Sequence, residues 1–242
     1  MIHSVMPKPL AAFVASIALL ATSPALADSF APPSIQEARS ASGEVVATII
    51  PALLSCAQGE DCKPAARAVV EFDRSGWRGP SRTVLLRNPE APGQVLVTDD
   101  GTRLLTVNDY ASAGHGDNVL VLYGEQGEVI AHYGLADFLP EDYLNGLPRT
   151  ASSIRWMSDP VRIDEGNRRA IVSLFVVTRD EDLQRSLRDG GIELALDLDT
   201  GELERPSGPR WEIARNCART TGWAPPEAQA PRERERYAAL CR

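Results

Sequence analysis

The chain has 242 residues and a formal net charge of −8, with 43% apolar and 24% charged residues. That is long enough for a well-buried core without help from metals. An acidic surface disfavours nucleic acid and anionic lipid as partners, because both repel it.

Residues 1–27 read as a secretory signal peptide. A short leader carrying Lys8 precedes the apolar run Leu10–Leu20, which is too short to span a bilayer. Ser23 and Pro24 end that run, and Ala25-Leu26-Ala27 supplies the small-x-small cleavage pattern. Cleavage after Ala27 leaves a chain of net charge −9 without a membrane anchor, because the leader holds one Lys and no acids. The expected compartment is the periplasm or the exterior. There an even number of cysteines (Cys56, Cys62, Cys217 and Cys241) points to disulfides, paired locally as Cys56–Cys62 and Cys217–Cys241.

Residues 28–205 read as an antiparallel β domain. Short apolar runs alternate with Gly, Pro, Asn and Asp turn signals. The predicted strands are Val45–Ile50, Ala68–Phe72, Thr83–Arg87, Gln94–Thr98, Arg103–Val107, Val119–Tyr123, Glu128–Tyr133, Ser152–Met157, Arg169–Val177 and Ile192–Leu198. Asp100-Gly101 is the clearest hairpin signal. A short helix is expected to start at Pro140, as its first helical residue, and to stop at Gly146 and Pro148, and a second is expected at Glu181–Arg188. Residues 206–242 read as a disulfide-stapled helical segment, with helices at Trp211–Arg219 and Arg232–Arg242.

A repeat runs through the β region. SGEVVATII (42–50), DGTRLLTVN (100–108) and EGNRRAIVS (165–173) each join a Gly turn to a strand. VVEFDRSG (69–76), VLVLYGEQG (119–127) and ALDLDTG (195–201) each run from a strand into a Gly turn. Duplication would make each unit a four-strand antiparallel module, and three units are too few to close a propeller. The expected fold is therefore mainly β: an antiparallel meander or partial propeller-like sheet of about ten strands, with helical inserts and a helical C-terminal appendage.

The segments VTDDGTRLLTVNDY, GHGDNVLVLYGEQGEVIAHYGL, DFLPEDYLNGLP and SSIRW lie within the stretch from about Asn88 to Val177. Through them the chain resembles a group of uncharacterised exported bacterial β-repeat proteins with propeller-blade-like turns. The resemblance implies an exported β-repeat domain and implies no activity.

The polar loop 108–118 (NDYASAGHGDN) contains the candidate site residues. His115 sits between two glycines, and Asp109 or Asp117 could serve it as a carboxylate partner for acid–base chemistry. Asn118 is a candidate ligand-binding residue. The same oxygen-rich set could hold calcium, or could simply bond its own turn. His132 lies in an alternating strand and reads as structural. Hydrolase, Walker and dinucleotide motifs are missing, and no cofactor or metal site is expected. Two functions are carried forward. One is a non-enzymatic binding module of the bacterial envelope, with a protein or small ligand as partner. The other is a periplasmic hydrolase or lyase that uses His115 with Asp109 or Asp117.

Overall fold

The fold is taken from a computed structural model, which describes residues 31–54, 65–74, 77–166, 168–178, 191–221 and 241. The chain divides into two units, Met1–Ala31 and Pro32–Arg242. The leader, Cys56, Cys62 and the helices expected at Glu181–Arg188 and Arg232–Arg242 lie outside the described residues, apart from Cys241.

The second unit is mainly β. Its first sheet holds β1 (Gln36–Arg39), β2 (Val45–Ile50), β3 (Arg67–Arg74) and β4 (Trp77–Leu85). The second sheet holds β5 (Pro92–Val97), β6 (Leu104–Asp109), β7 (Leu120–Tyr123) and β8 (Val129–Tyr133). The third holds β9 (Arg162–Asp164), β10 (Arg169–Ser173), β11 (Glu193–Asp197) and β12 (Leu203–Glu204). Each is a four-stranded antiparallel meander in chain order. The expectation of one sheet of about ten strands is corrected to three sheets of four. The aligned repeat segments fall on β2, β6 and β10, and their companions on β3, β7 and β11. These are the two inner strands of each sheet.

The two inner strands of the middle sheet, β6 and β7, are buried on both faces. Leu104, Val121 and Tyr123 join Val45, Ala47, Ile49, Ala68 and Val70 in one apolar core. Their strand neighbours Leu105, Val107, Leu120 and Leu122 join Ala170, Val172, Leu194 and Leu196 in the other. Side chains alternate across a strand, so burial of both faces requires the continuous runs LLTV and LVLY. Each fully buried Leu or Val contributes about 1.5–3 kcal/mol.

The sheets interlock through turns. Gly127, in the β7–β8 turn, lies against Val84 of β4. Gly201, in the β11–β12 turn, lies against Ile130 and Ala131 of β8, and its carbonyl accepts the Tyr133 hydroxyl at 2.7 Å. The same relation thus recurs between successive sheets: the turn joining strands three and four sits on the last strand of the preceding sheet. Arg82 adds to the first contact by donating to the carbonyls of Gly101 and Gly124 at 2.6 Å.

Ser152–Met157 is not a sheet strand. The segment makes only isolated bridges, Ala113 to Ser153, Arg149 to Ile154 and Met157 to Leu174. Its alternation is real, because Trp156 is buried and Ile154 packs against the same core. The segment is extended but lies across loops. Helices α1 (Leu135–Phe138), α2 (Glu141–Leu144) and α3 (Pro209–Thr221) close that core. Pro140 is the cap residue of α2 rather than its first helical residue. Tyr143 and Trp211 pack with their rings tilted by 53° and centroids 4.7 Å apart, and Arg215 Nε donates to both Asp142 oxygens at 3.0 Å. Trp211, Ala214 and Ala218 belong to the same buried cluster as the third sheet. Cys217 of α3 is disulfide-bonded to Cys241, with their Cα atoms 5.4 Å apart.

Candidate functional site

The loop after β6 is held by its own polar residues. Asn108 takes the left-handed conformation (φ 60°), and its side chain turns inward. Its Oδ1 accepts the Gly114 N–H at 2.8 Å and the Trp156 indole N–H at 2.9 Å. Buried Asn88 donates through Nδ2 to Asn108 O at 3.2 Å and to Asp109 Oδ1 at 2.7 Å. Burial pushes the Asp109 carboxyl pKa above its ordinary value, against the lowering effect of Asn88 and Asn118. Asn118 exchanges hydrogen bonds with Arg87, accepting from its Nε and donating to its carbonyl, both at 3.3 Å.

The structure therefore brings Asp109 and Asn118 together, with Asn88 and Arg87 as their partners. It does not complete an acid–base pair. His115 is half-buried, and its Nε2 is enclosed without a hydrogen-bond partner among the described residues. Asp117 is exposed. Its carbonyl lies 3.5 Å from Nδ1 of His132, which is itself exposed on β8. Among the described residues no group of three or more His, Cys, Asp or Glu is placed to hold a metal.

A second polar cluster ties together the turns between strands one and two of all three sheets. Ser42 N–H donates to Asp99 Oδ1 at 2.6 Å, and Asp99 N–H donates to Glu165 Oε1 at 3.2 Å. Arg168 bridges Asp100 Oδ2 at 2.8 Å and Asp199 Oδ1 at 3.0 Å. Arg103 Nε donates to Leu198 O at 2.6 Å. Burial raises the Asp100 carboxyl pKa, but hydrogen bonds from Thr98, Thr102 and Arg168 outweigh it and hold the group well below the usual range. Burial, with the nearby Asp99 charge, pushes Glu165 up.

Beside this cluster opens a groove of about 530 Å³. Its walls come from the first strand of each sheet. β1 supplies Glu37, Ala38 and Arg39; β5 supplies Gln94, Val95, Leu96 and Val97; β9 supplies Arg162 and Ile163, with Glu165 just beyond. The side-chain amide of Gln94 clasps the backbone of Val161, donating to its carbonyl at 2.8 Å and accepting its N–H at 3.1 Å. That clasp fixes β5 against the segment entering β9. The volume lies within the range of small-ligand and peptide pockets.

Sequence reasoning found β5 but missed the groove, because its other two walls are short polar edge strands. β1 reads QEAR, and β9 reads RID. Neither shows apolar alternation. The repeat held the missing signal. In its second copy a strand, β5, precedes the Gly turn, and the segments before the Gly turns of the other two copies hold β1 and β9.

Comparison with protein-family models finds no match, and comparison with curated proteins finds no similar chain.

Proposed function

We propose that this chain is an exported, non-enzymatic binding module of the bacterial envelope, with its ligand seated in the groove between β1, β5 and β9. The groove is the observation that carries the reading: all three sheets contribute their first strands to one concave surface. Export is supported by the leader pattern of residues 1–27 and, weakly, by the Cys217–Cys241 disulfide. The arrangement is that of a partial propeller built by duplication. Its support is the placement of the aligned segments on equivalent strands and the recurring contact of Gly127 on β4 and Gly201 on β8. By the same reading, 28–205 is the binding domain and 206–242 a stapled segment whose helix α3 packs on its second core.

The hydrolase or lyase reading, with His115 and Asp109 or Asp117, draws less support. Asn108, Asp109 and Asn118 are engaged in holding the loop, and among the described residues His115 Nε2 reaches no carboxylate.

The test is capture from envelope extract by the full chain, by Ile163→Arg in the groove and by His115→Ala in the loop. A partner retained by wild type and by His115→Ala but lost by Ile163→Arg, with that variant still folded at the assay temperature, is the expected result. A partner lost by His115→Ala and kept by Ile163→Arg overturns the reading.

A further inference from the structure

We infer that the outer face of the first sheet docks a second copy of this chain, sheet on sheet, in a two-fold dimer. The inference does not depend on the groove; it adds an interaction surface elsewhere on the molecule.

Val45, Ala47 and Ile49 of β2 pack inward against the middle sheet. Alternation turns Val46, Thr48 and Ile50 to the outer face. A strand with one wet face alternates apolar and polar residues, yet β2 reads VVATII, the continuous pattern of a strand covered on both sides. Register carries the outer face across its neighbours. Ile50 lies opposite Arg67, and Arg67 opposite Leu85. Ile35 stands at the end of the same row, one residue before Gln36, which pairs with Ile49. Leu85 is 68% exposed and Ile35 56%; Leu53 and Leu54, just past the end of β2, are 73% and 50% exposed. Four of the five large apolar side chains exposed among the described residues therefore gather at one end of one sheet.

Charge identifies the occupant. Arg67, in the middle of that row, is half-buried, and its Nε is enclosed without a hydrogen-bond partner. Its side chain makes no ion pair among the described residues, whereas Arg39 on the same face is paired with Asp73 at 3.3 Å. A partly buried cation calls for a carboxylate from outside. Glu71 lies on the same face of β3, four residues on and about 13 Å away, too far to serve Arg67 within one chain. A two-fold axis across the strands at Val69 lays β3 antiparallel on β3 of a second copy. It sets Arg67 of each copy against Glu71 of the other, Ile50 against Val46, and Val69 against its own equivalent. One symmetry operation forms two ion pairs and covers the apolar row, as an isologous contact must.

The far end of the sheet stack differs. The outer face of the third sheet already pairs its exposed charges, Arg162 with Glu193 at 3.1 Å and Arg169 with Glu204 at 3.0 Å. Association through the first sheet alone closes at two copies and does not run on into a filament. Four strands spaced about 4.8 Å apart and about 17 Å long, with Leu53 and Leu54, cover on the order of 600 Å² per copy. That is about the lower limit of a stable pair, so the dimer forms in the micromolar range.

The test is sedimentation velocity of the full chain from about 1 μM to about 1 mM. The variants are Arg67→Glu, Glu71→Arg, the double swap Arg67→Glu/Glu71→Arg, and Leu85→Arg, each checked for folding by circular dichroism. Wild type should pass from monomer to dimer across this range. Each single charge swap opposes like charges at both symmetry-related pairs and should weaken the dimer about tenfold or more. The double swap should recover to within about threefold of wild type, because position 67 again faces an opposite charge at position 71. Leu85→Arg, at an exposed position, should weaken the dimer about tenfold or more with an unchanged spectrum. A wild-type chain that stays monomeric at about 1 mM overturns the inference, even where the same face captures a different protein. So does a dimer indifferent to Leu85→Arg and Arg67→Glu, whose contact then lies elsewhere on the chain. A double swap as weak as the single swaps overturns it as well. If a charge variant does not fold, Leu85→Arg decides alone.

Discussion

Gly201→Ala probes the interlock between the second and third sheets. Gly201 has φ +76°, where an L-residue costs roughly 1–2 kcal/mol. A Cβ built there comes within 2.7 Å of Ala131 Cβ and 3.1 Å of Ile130 Cγ2. Both atoms sit on strand β8, which cannot retreat without disturbing the core, so overpacking adds about 1–3 kcal/mol. Gly43→Ala is the matched control: its φ is +75°, and nothing lies within 4 Å of the new Cβ. The backbone cost is shared, and the steric cost belongs to Gly201 alone. For a domain of this size each kcal/mol lowers Tm by about 2–4 °C. Thermal melting should therefore show Gly201→Ala falling further than Gly43→Ala by roughly 2–12 °C. Adding Ala131→Gly to Gly201→Ala should recover part of the excess, seen as favourable coupling in a double-mutant cycle. Equal losses for Gly201→Ala and Gly43→Ala, with no coupling to Ala131, would refute the packing of the β11–β12 turn on β8.

Three further outcomes are expected from the same contacts. Trp156→Phe should cost about 2–4 kcal/mol in urea unfolding, because it leaves a void and removes one of the two donors to buried Asn108 Oδ1. Reducing Cys217–Cys241, or replacing Cys217 by Ser, should cost about 3 kcal/mol for a separation of 24 residues; unchanged melting under reductant would contradict the staple. The acid limb of the pH–stability curve is set by the turn cluster. The Asp100 pKa is depressed on folding, so its contribution is present above the ordinary carboxylate value of about 4 and is lost as pH falls toward the folded value. Asp99 and Asp197 act in the same sense, through hydrogen bonds from Ser42 and Thr200. Glu165, raised on folding, acts oppositely and returns a little stability as it protonates. Asp100→Asn should therefore flatten the stability loss below about pH 4 while lowering stability at pH 7.

What could be read from sequence was set by burial. β6 and β7 lie between two cores, so their apolar runs are continuous and their positions are unmistakable. β3, β10 and β11 each have one buried face and show it by alternation. Three of the six edge strands are silent. β1, β9 and β12 are two to four residues long, largely polar and without a buried residue, because solubility demands polar edges. Two of them, β1 and β9, build the groove together with β5, so the surface proposed for binding was the least visible part of the chain. Ser152–Met157 shows the reverse error. Its alternation reports an extended, half-buried backbone, and periodicity alone cannot say whether a neighbouring strand is present. The His115 loop drew attention because its residues suit catalysis, but the same Asn and Asp side chains are what a left-handed turn at Asn108 uses to hold itself.

The most direct test of the groove as binding surface is site-specific photo-crosslinking of the full chain in envelope preparations. A photoreactive residue replaces Ile163 in one protein and Gly116 in the other. Ligand crosslinked from position 163 and not from 116 is the predicted result; ligand crosslinked from 116 and not from 163 would contradict it.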